Sequence, residues 1–269
     1  MPELPEVRVS SKMINKNIKG QVINDVVVLK EKLIKEISKR KFIHILKGKE
    51  ILNVTNYGKF LVFHLSDNLI MLSHLRMEGS YHVVGGEPLK HDRIIFKFKD
   101  FDLAYNDSRM FGTFHLRTNQ NYKNTLPLSK LAKEPQDMDV KKLQAKLQNK
   151  RIAIKSSLLD QTVLNGLGNI YVNEVLFHVH INPQRPSNQI TLSELKKILR
   201  SSAKIMDKST SMGGTTIKSY VSFNDQAGGY QDHLKVHGKT REKCPRCKRT
   251  IAKIKVGGRG TYYCPHCQK

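Results

Sequence analysis

Cys244-Pro245-Arg246-Cys247 and Cys264-Pro265-His266-Cys267, with residues 248–263 between them, are the stretch on which the fold of this chain turns. Each CxxC turn can aim two thiolates at one point, and a hairpin joining two such turns completes a tetrahedral sulfur shell around one Zn2+. A pair of disulfides is the competing reading. A reducing cytoplasm disfavours it, and the amino terminus has no apolar run of the kind that secretory signals carry. Four thiolates close the coordination sphere and leave no place for a catalytic water, so the predicted ion is structural. It organises a segment too short to bury a core of its own. Between the turns lies Val256-Gly257-Gly258-Arg259-Gly260-Thr261, which predicts a glycine-flanked tip carrying Arg259. An exposed guanidinium there suits a phosphate.

The surroundings of the cysteines are basic. Lys235, Lys239, Arg241, Lys243, Arg246, Lys248, Arg249, Lys253 and Lys255 face only Asp232 and Glu242 nearby. The whole chain of 269 residues has 47 Lys+Arg against 23 Asp+Glu, a formal charge of +24. That exceeds what solubility requires and favours a polyanionic partner, nucleic acid first, although a merely basic surface in a lysine-rich proteome is the plain alternative. At 39% hydrophobic residues the chain can build a buried core, and its length suggests two domains. No stretch approaches about 18 consecutive apolar residues, so no membrane span is predicted and a cytoplasmic protein is expected.

Further upstream, Leu158 to Phe177 reads LLDQTVLNGLGNIYVNEVLF, in which Gly166 and Gly168 interrupt two apolar-periodic runs. The pattern predicts a helix, turn, helix unit. Backbone amides at the start of its second helix, with Asn169 beside them, could hold a phosphate, or the unit could be an ordinary glycine-capped helical corner. Val7, Met13, Ile14 and Ile18 share one helical face, and Gly20 supplies a stop signal. Residues 21–117 turn to β-branched and aromatic runs such as Phe60-Leu61-Val62-Phe63 and Ile94-Ile95-Phe96, which predict strands. A polar, proline-containing stretch at 118–138 reads as a linker. Helices are expected at 139–149, 152–164, 169–178 and 191–208. The glycine-rich stretch that begins at Gly213-Gly214-Thr215-Thr216 and runs to Gly228-Gly229-Tyr230 reads as a loop, and loops of that length are often functional.

The chain opens Met1-Pro2-Glu3-Leu4-Pro5-Glu6. Removal of Met1 would leave Pro2 with a free secondary amine, and an α-amino group titrates near roughly 7.7–8.0, so part of it is nucleophilic at neutral pH. Proline and glutamate also suit the first turn of an ordinary helix, and the segment by itself does not decide between the two.

Taken together, Met1-Pro2-Glu3-Leu4-Pro5-Glu6-Val7, the Asp160-Gln161 to Phe177 segment, Gly213-Gly214-Thr215-Thr216 and the terminal CxxC pairs resemble the bacterial formamidopyrimidine-DNA glycosylase family over nearly the whole chain. The related endonuclease VIII family typically opens Pro-Glu-Gly-Pro-Glu where this chain has Pro2-Glu3-Leu4-Pro5-Glu6. That difference favours oxidised purines over pyrimidines. The resemblance implies an α+β protein of two domains: an N-terminal catalytic β-sandwich with a flanking helix (1–117), then, after the linker, a helix-two-turns-helix domain (139–234) with a zinc β-hairpin (235–269). It implies a bifunctional DNA glycosylase and abasic-site lyase acting on 8-oxoguanine and formamidopyrimidines in double-stranded DNA, one chain per duplex, with structural Zn2+ as the sole cofactor. Pro2 is then the Schiff-base nucleophile, Glu3 the proton source for sugar-ring opening, and Glu6 the residue that orients them. Lys59 serves β-elimination and Arg259 δ-elimination. DNA contacts fall to His91, Arg109, Arg151, Lys155 and Asn169, while Met77, Arg109 and Phe111 fill the hole left by the extruded base, whose unstacking costs a few kcal/mol. Without the resemblance, Lys59 reads as a solvated strand lysine and Met77 and Phe111 as core. The loop at 216–230 corresponds to the segment that covers the extruded base.

Two departures stand out. Val7-Arg8-Val9 replaces the family's usual Val-Glu-Thr, and Ala132-Lys133-Glu134-Pro135 replaces its Gly-Pro-Glu-Pro linker. A reading from another class is a non-catalytic zinc-ribbon protein that binds nucleic acid. It explains the charge and the cysteines and leaves Met1-Pro2-Glu3 unexplained.

Overall fold

Helix α1 (Leu4–Ile18) enters the molecule with Pro5 in its first turn, and Leu4, Val7, Ile14 and Ile18 along one face are wholly buried. Gly20, at φ +81°, turns the chain after it, a conformation glycine adopts without steric cost. A computed structural model of the chain describes residues 2–216, 223–225 and 227–269. It falls into two compact units, Met1–Ser129 with Met212–Gly229, and Lys130–Ser211 with Tyr230–Lys269.

The first unit is built from two antiparallel four-stranded sheets. One has the order β1 (Asp25–Val28), β6 (Asp92–Lys97), β7 (Asp102–Asn106), β5 (Ser80–Val84). The other has the order β2 (Ile51–Tyr57), β3 (Phe60–Leu65), β4 (Leu69–His74), β8 (Thr113–Thr118). Val26, Ile94, Phe96 and Leu103 of the first sheet share one core with Val54, Phe63, Met71 and Phe114 of the second. Each such side chain contributes about 1.5–3 kcal/mol when fully buried. Strand β3 is buried almost continuously, which is why its sequence runs Phe60-Leu61-Val62-Phe63 without alternation. Residues 21–117, where strands were expected to dominate, also hold α2 (Lys39–Leu46). Ser38 caps it by accepting from the Lys41 amide at 3.3 Å, and Phe42 and Leu46, one turn apart, are wholly buried.

The second unit contains α3 (Val140–Leu147), α4 (Ile154–Leu158), α5 (Asn169–His178) and α6 (Leu192–Ser211), followed by the hairpin of β9 (Ala252–Val256) and β10 (Arg259–Tyr263). The helix expected over 152–164 stops at Leu158. Asp160 Oδ1 accepts from the Thr162 amide and hydroxyl, while the Gln161 side chain donates to the Leu159 and Leu167 carbonyls and accepts from the Gly166 amide. These side chains offer the backbone a turn in place of a helix. The boundary between units falls at residues 129/130, inside the stretch read as a linker. Residues 212–229, assigned from sequence to the helical domain, belong with the first unit. None of the helices among the described residues is long and apolar enough to cross a membrane.

Candidate nucleic-acid interface

At the amino end Pro2 is buried ahead of α1, with Glu3 buried as its extended N-cap and Glu6 buried in its first turn. Glu6 Oε2 accepts from the Glu3 amide at 2.9 Å, one half of a capping box, and its other oxygen accepts from the Thr215 amide at 2.8 Å. Gly214 sits at φ +79°, and a Cβ there would lie 3.1 Å from Glu6 Oε1. Glu6 thus ties the start of α1 to the root of the glycine-rich loop. At that root the Gly228 amide donates to Thr216 Oγ1 at 2.7 Å, and a Cβ on Gly228 would run into the Gly214 carbonyl. Beyond it, the Asn224 side chain accepts from the Val83 amide at 2.9 Å, and Phe223 is buried in the sandwich core. Residues 217–222 and 226 of the loop expected to cover the base lie outside the described residues. Arg8 is half-buried on α1.

Met77, Arg109 and Phe111 come from two turns that one tyrosine holds. Met77 and Phe111 are 37% and 51% exposed, so neither is core. The Arg109 guanidinium lies 4.8 Å from the centre of the Phe111 ring. Buried beneath them, Asp107 accepts from four consecutive backbone amides at 2.9–3.0 Å, those of Arg109 and Met110 on one oxygen and of Phe111 and Gly112 on the other. The Tyr105 hydroxyl donates to the same carboxylate at 3.2 Å and occupies the space that a side chain on Gly79 or Gly112 would need. The turn bearing Met77 and the turn bearing Phe111 therefore pack on one hydroxyl. Sequence reading missed Asp107 and Tyr105. The local signal was Asp107-Ser108-Arg109, an aspartate placed to collect the amides that follow it.

His91 joins this arrangement through Arg93, whose guanidinium lies 3.0 Å from His91 Nδ1 and donates through Nε to the Asp107 carbonyl at 2.9 Å. Lys59 is buried, directly after Gly58 at φ +54° in the β2–β3 turn. Its reading as a solvated lysine therefore does not hold. Burial, then the charges of Arg76 and Lys59, push the neighbouring His74 imidazole down to about 3. His74 is neutral, and its Nδ1 accepts from the Arg76 amide at 2.9 Å, just ahead of Met77.

In the second unit Lys155, Asn169 and Arg259 converge on the hairpin tip. Lys155 is fully buried, and its ammonium donates to the Gly260 carbonyl at 3.0 Å and to Thr261 Oγ1 at 2.7 Å. Asn169, the first residue of α5, donates to the same Gly260 carbonyl at 3.1 Å. Gly257, at φ +54°, packs so close to Ser156 that a side chain there would meet its hydroxyl at 2.6 Å. Arg259 is left exposed at the hairpin tip, beside the α5 amino terminus, where the helix dipole favours an anion. Arg151 stands exposed before α4, and among the described residues it makes no hydrogen bond with this group.

The four cysteine sulfurs lie within 4.8 Å of one another, with Cys244 and Cys267 at 3.9 Å and Cys247 and Cys264 at 3.5 Å. A tetrahedron with Zn–S of about 2.3 Å has edges of about 3.8 Å, so the donor set fits one zinc ion. A hydrogen bond from the Arg249 amide draws the Cys247 thiol down to about 7, whereas burial and the adjacent thiols raise Cys264 and push Cys267 up to about 12. Four thiolates so close together need a cation among them. Glu174 on α5, also missed from sequence, accepts from the Lys235, Val236 and His237 amides at 2.8–2.9 Å and fixes the chain leading into the hairpin.

Comparison with known proteins matches the formamidopyrimidine-DNA glycosylase N-terminal domain over residues 1–114, the helix-two-turns-helix (H2TH) domain of the same enzyme over 131–221, and a zinc finger found in FPG and IleRS over 241–269. The formamidopyrimidine-DNA glycosylases of Mycoplasma mobile and Mycoplasmopsis pulmonis are each 46% identical, covering all of this chain and 99% and 98% of theirs. Among solved structures, a Lactococcus lactis FPG mutant bound to Fapy-dG-containing DNA superposes with a TM-score of 0.94 at 38% identity, and the L. lactis protein on abasic-site DNA with 0.92 at 37%. Both alignments span the full length of both chains.

Proposed function

The chain belongs to the formamidopyrimidine-DNA glycosylase family, DNA glycosylases of base excision repair with abasic-site lyase activity, and from that premise we propose how its residues divide the chemistry. The matches to the N-terminal domain leave the non-catalytic zinc-ribbon reading without support. Structural Zn2+ is held by Cys244, Cys247, Cys264 and Cys267. The substrates are formamidopyrimidines and 8-oxoguanine in double-stranded DNA, with one chain per duplex, and the protein works on the bacterial nucleoid in the cytoplasm. Support comes from the Fapy-dG and abasic DNA in the L. lactis complexes and from bacterial relatives.

The observation that carries the mechanism is Pro2 buried at the start of α1 with Glu6 fixing both the following amide and Thr215. With Met1 removed, the Pro2 nitrogen attacks C1′ of the damaged nucleotide. The bond from nitrogen to C1′ forms as the glycosidic bond breaks, and the base leaves with a proton. Glu3 protonates the ring oxygen, the sugar opens, and the nitrogen becomes an iminium. The iminium acidifies the C2′ proton, whose removal, assisted by Lys59, expels the 3′ phosphate; a second elimination, assisted by Arg259, expels the 5′ phosphate. Glu6, with both oxygens taken by backbone amides, positions these groups. Met77, Arg109 and Phe111 occupy the hole left by the extruded base. His91, Arg151 and Asn169 contact the backbone, and Lys155 holds the hairpin that presents Arg259.

Borohydride reduces the iminium and locks the protein to DNA. Incubated with a Fapy-dG or 8-oxoguanine duplex, the protein should give a trapped adduct that maps to Pro2 and is absent with undamaged DNA. A Pro2→Gly variant that keeps full base excision and strand cleavage would sink the assignment.

A further inference from the structure

The second unit contains a cavity of about 370 Å³ bounded by the C-terminal half of α5, the middle of α6, residues 230–235 and the first zinc turn. Its floor is apolar, made by Phe177, Ile205, Tyr230 and Pro245, of which Phe177 and Tyr230 are 3% and 5% exposed. The Tyr230 ring stacks on His233 at 5.9 Å between centroids and 24° between planes, and the Arg246 guanidinium covers Phe177 at 4.4 Å from its centre. The rim is cationic: Lys204, Lys208, Lys235 and Arg246 all line it, with His178 and His233 among them.

The lining is rich in donors and short of acceptors. Among the described residues that line it Glu174 is the only acid, and three backbone amides already occupy that carboxylate. Among the described residues, Lys204, Lys208 and Lys235 form no ion pair, and the Tyr230 hydroxyl makes no hydrogen bond. Arg246 is anchored by donating to the Phe177 and His178 carbonyls at 2.6 and 3.2 Å, so its charge is held in place over the floor. Burial, then the charges of Arg246 and Lys204, hold the His178 imidazole below its ordinary value.

Two parts of a ligand follow: an anionic group to meet the rim, and a flat ring to cover the floor. The volume lies at the lower end of the range of about 300–1,000 Å³ for small-molecule sites, enough for one heterocycle with its sugar and one charged group. We propose that this cavity binds a nucleoside monophosphate, its base against His233 and the apolar floor and its phosphate against Lys204, Lys208 and Arg246. The site is separate from the DNA surface of the same unit. Asn169 begins α5 and His178 ends it, so at 1.5 Å per residue the two lie about 13 Å apart along the axis.

The test uses the zinc-loaded full chain, free and saturated with a duplex carrying a stable abasic-site analogue. Calorimetric titration with dGMP should show one site of equal affinity in both states. Deoxyguanosine and inorganic phosphate should each bind at least about tenfold more weakly. A Lys204→Glu/Lys208→Glu double variant, altered only on the exposed face of α6, should weaken dGMP at least about tenfold and leave base excision intact. Arg259→Ala should leave dGMP binding unchanged. In the wild-type chain, proton NMR should show transfer between the base of dGMP and the His233 ring, a readout that depends on no variant. Displacement of dGMP by the duplex, or its loss in Arg259→Ala, would assign the binding to the DNA surface and overturn the proposal. Equal binding of inorganic phosphate would overturn it too, as would no binding of dGMP at millimolar concentration. None of these outcomes bears on the Schiff-base chemistry of Pro2.

Discussion

Asp107 in the first unit and Glu174 in the second do similar work with different support. Each is a buried carboxylate with consecutive backbone amides wrapped around it, four for Asp107 and three for Glu174. The loop held by Asp107 stands on a finished sandwich core, with Tyr105 and Phe114 buried directly below it. The segment held by Glu174 leads into a hairpin whose own core is small: Val236, Ile251 and the cysteines packed on Phe177. One site is held by hydrophobic burial with a polar clamp on top, and the other by a clamp plus a metal. A lesion in the first should therefore stay local, and loss of the metal in the second should dismantle an entire DNA-binding element.

Chelation of zinc is the sharpest way to test that contrast. Apparent zinc-binding free energies in zinc-finger peptides are about 10–16 kcal/mol, more than Glu174 and one small apolar cluster can replace. The chelated protein should lose the hairpin and with it tight binding to abasic DNA, by about a hundredfold or more, while β-sheet circular dichroism from the first unit persists. Unchanged affinity after verified zinc loss would mean that the clamp and packing suffice and that the two units do not differ as described.

The counterpart in the first unit is Asp107→Ala. It leaves four backbone amides and the Tyr105 hydroxyl without their acceptor, and each buried donor left unpaired costs about 1–3 kcal/mol. The effect on chemistry should be selective. If Met77, Arg109 and Phe111 fill the hole as proposed, excision from a Fapy-dG duplex should fall steeply. Borohydride trapping on a preformed abasic site, where no base has to be extruded, should fall much less. Equal losses on both substrates would mean that Asp107 only supports the fold.

These two carboxylates also show which parts of the molecule sequence could reveal. The zinc turns and the exposed hairpin tip that carries Arg259 were legible because cysteine spacing and flanking glycines define them along the chain alone. Fold class was legible for a similar reason, since unbroken apolar runs become strands buried on both faces and Val7, Ile14 and Ile18 fall on one side of α1. Asp107, Tyr105 and Glu174 were not. Their partners are backbone amides, which every residue supplies, and glycines whose value lies in space left empty by Gly79 and Gly112. Helix α2 hid behind its short length, and the helix expected over 152–164 ended early because Asp160 and Gln161 bond to nearby backbone. The placement of residues 212–229 with the first unit depended on Glu6 meeting Thr215, a long-range pairing with no local trace.

Lys155 refines the picture within the second unit. Its side chain, buried completely against Gly260 and Thr261, holds the hairpin that carries Arg259, and the proposed role on DNA is through that hairpin. Lys155→Met keeps the volume and removes the charged donor from the Gly260 carbonyl and the Thr261 hydroxyl, at about 1.5–3 kcal/mol. Affinity for abasic DNA should fall about tenfold with the salt dependence unchanged. If the slope of log K against log salt instead drops by about 0.9, Lys155 neutralises a phosphate directly and the supporting role is wrong.

The smallest effect concerns pH and the first unit. His74 is held neutral down to about 3 by burial and by Arg76 and Lys59, whereas in the unfolded chain it titrates near its ordinary value of 6.5. Between those two values the unfolded chain binds the extra proton, so this residue makes stability rise with pH and fall as the solution is acidified. The limiting slope is about 1.4 kcal/mol per pH unit for one fully differential proton. Replacement by glutamine, which can still accept from the Arg76 amide, removes the titration. In urea unfolding of the first unit, His74→Gln should lose stability less steeply than wild type from pH 6.5 towards pH 4, the two curves converging as acid weakens the wild type. Because zinc release in acid affects both proteins through the second unit alike, the difference between them isolates His74. Parallel curves over that range would show that the imidazole is protonated in the folded protein and that the turn leading to Met77 tolerates a charge beneath it.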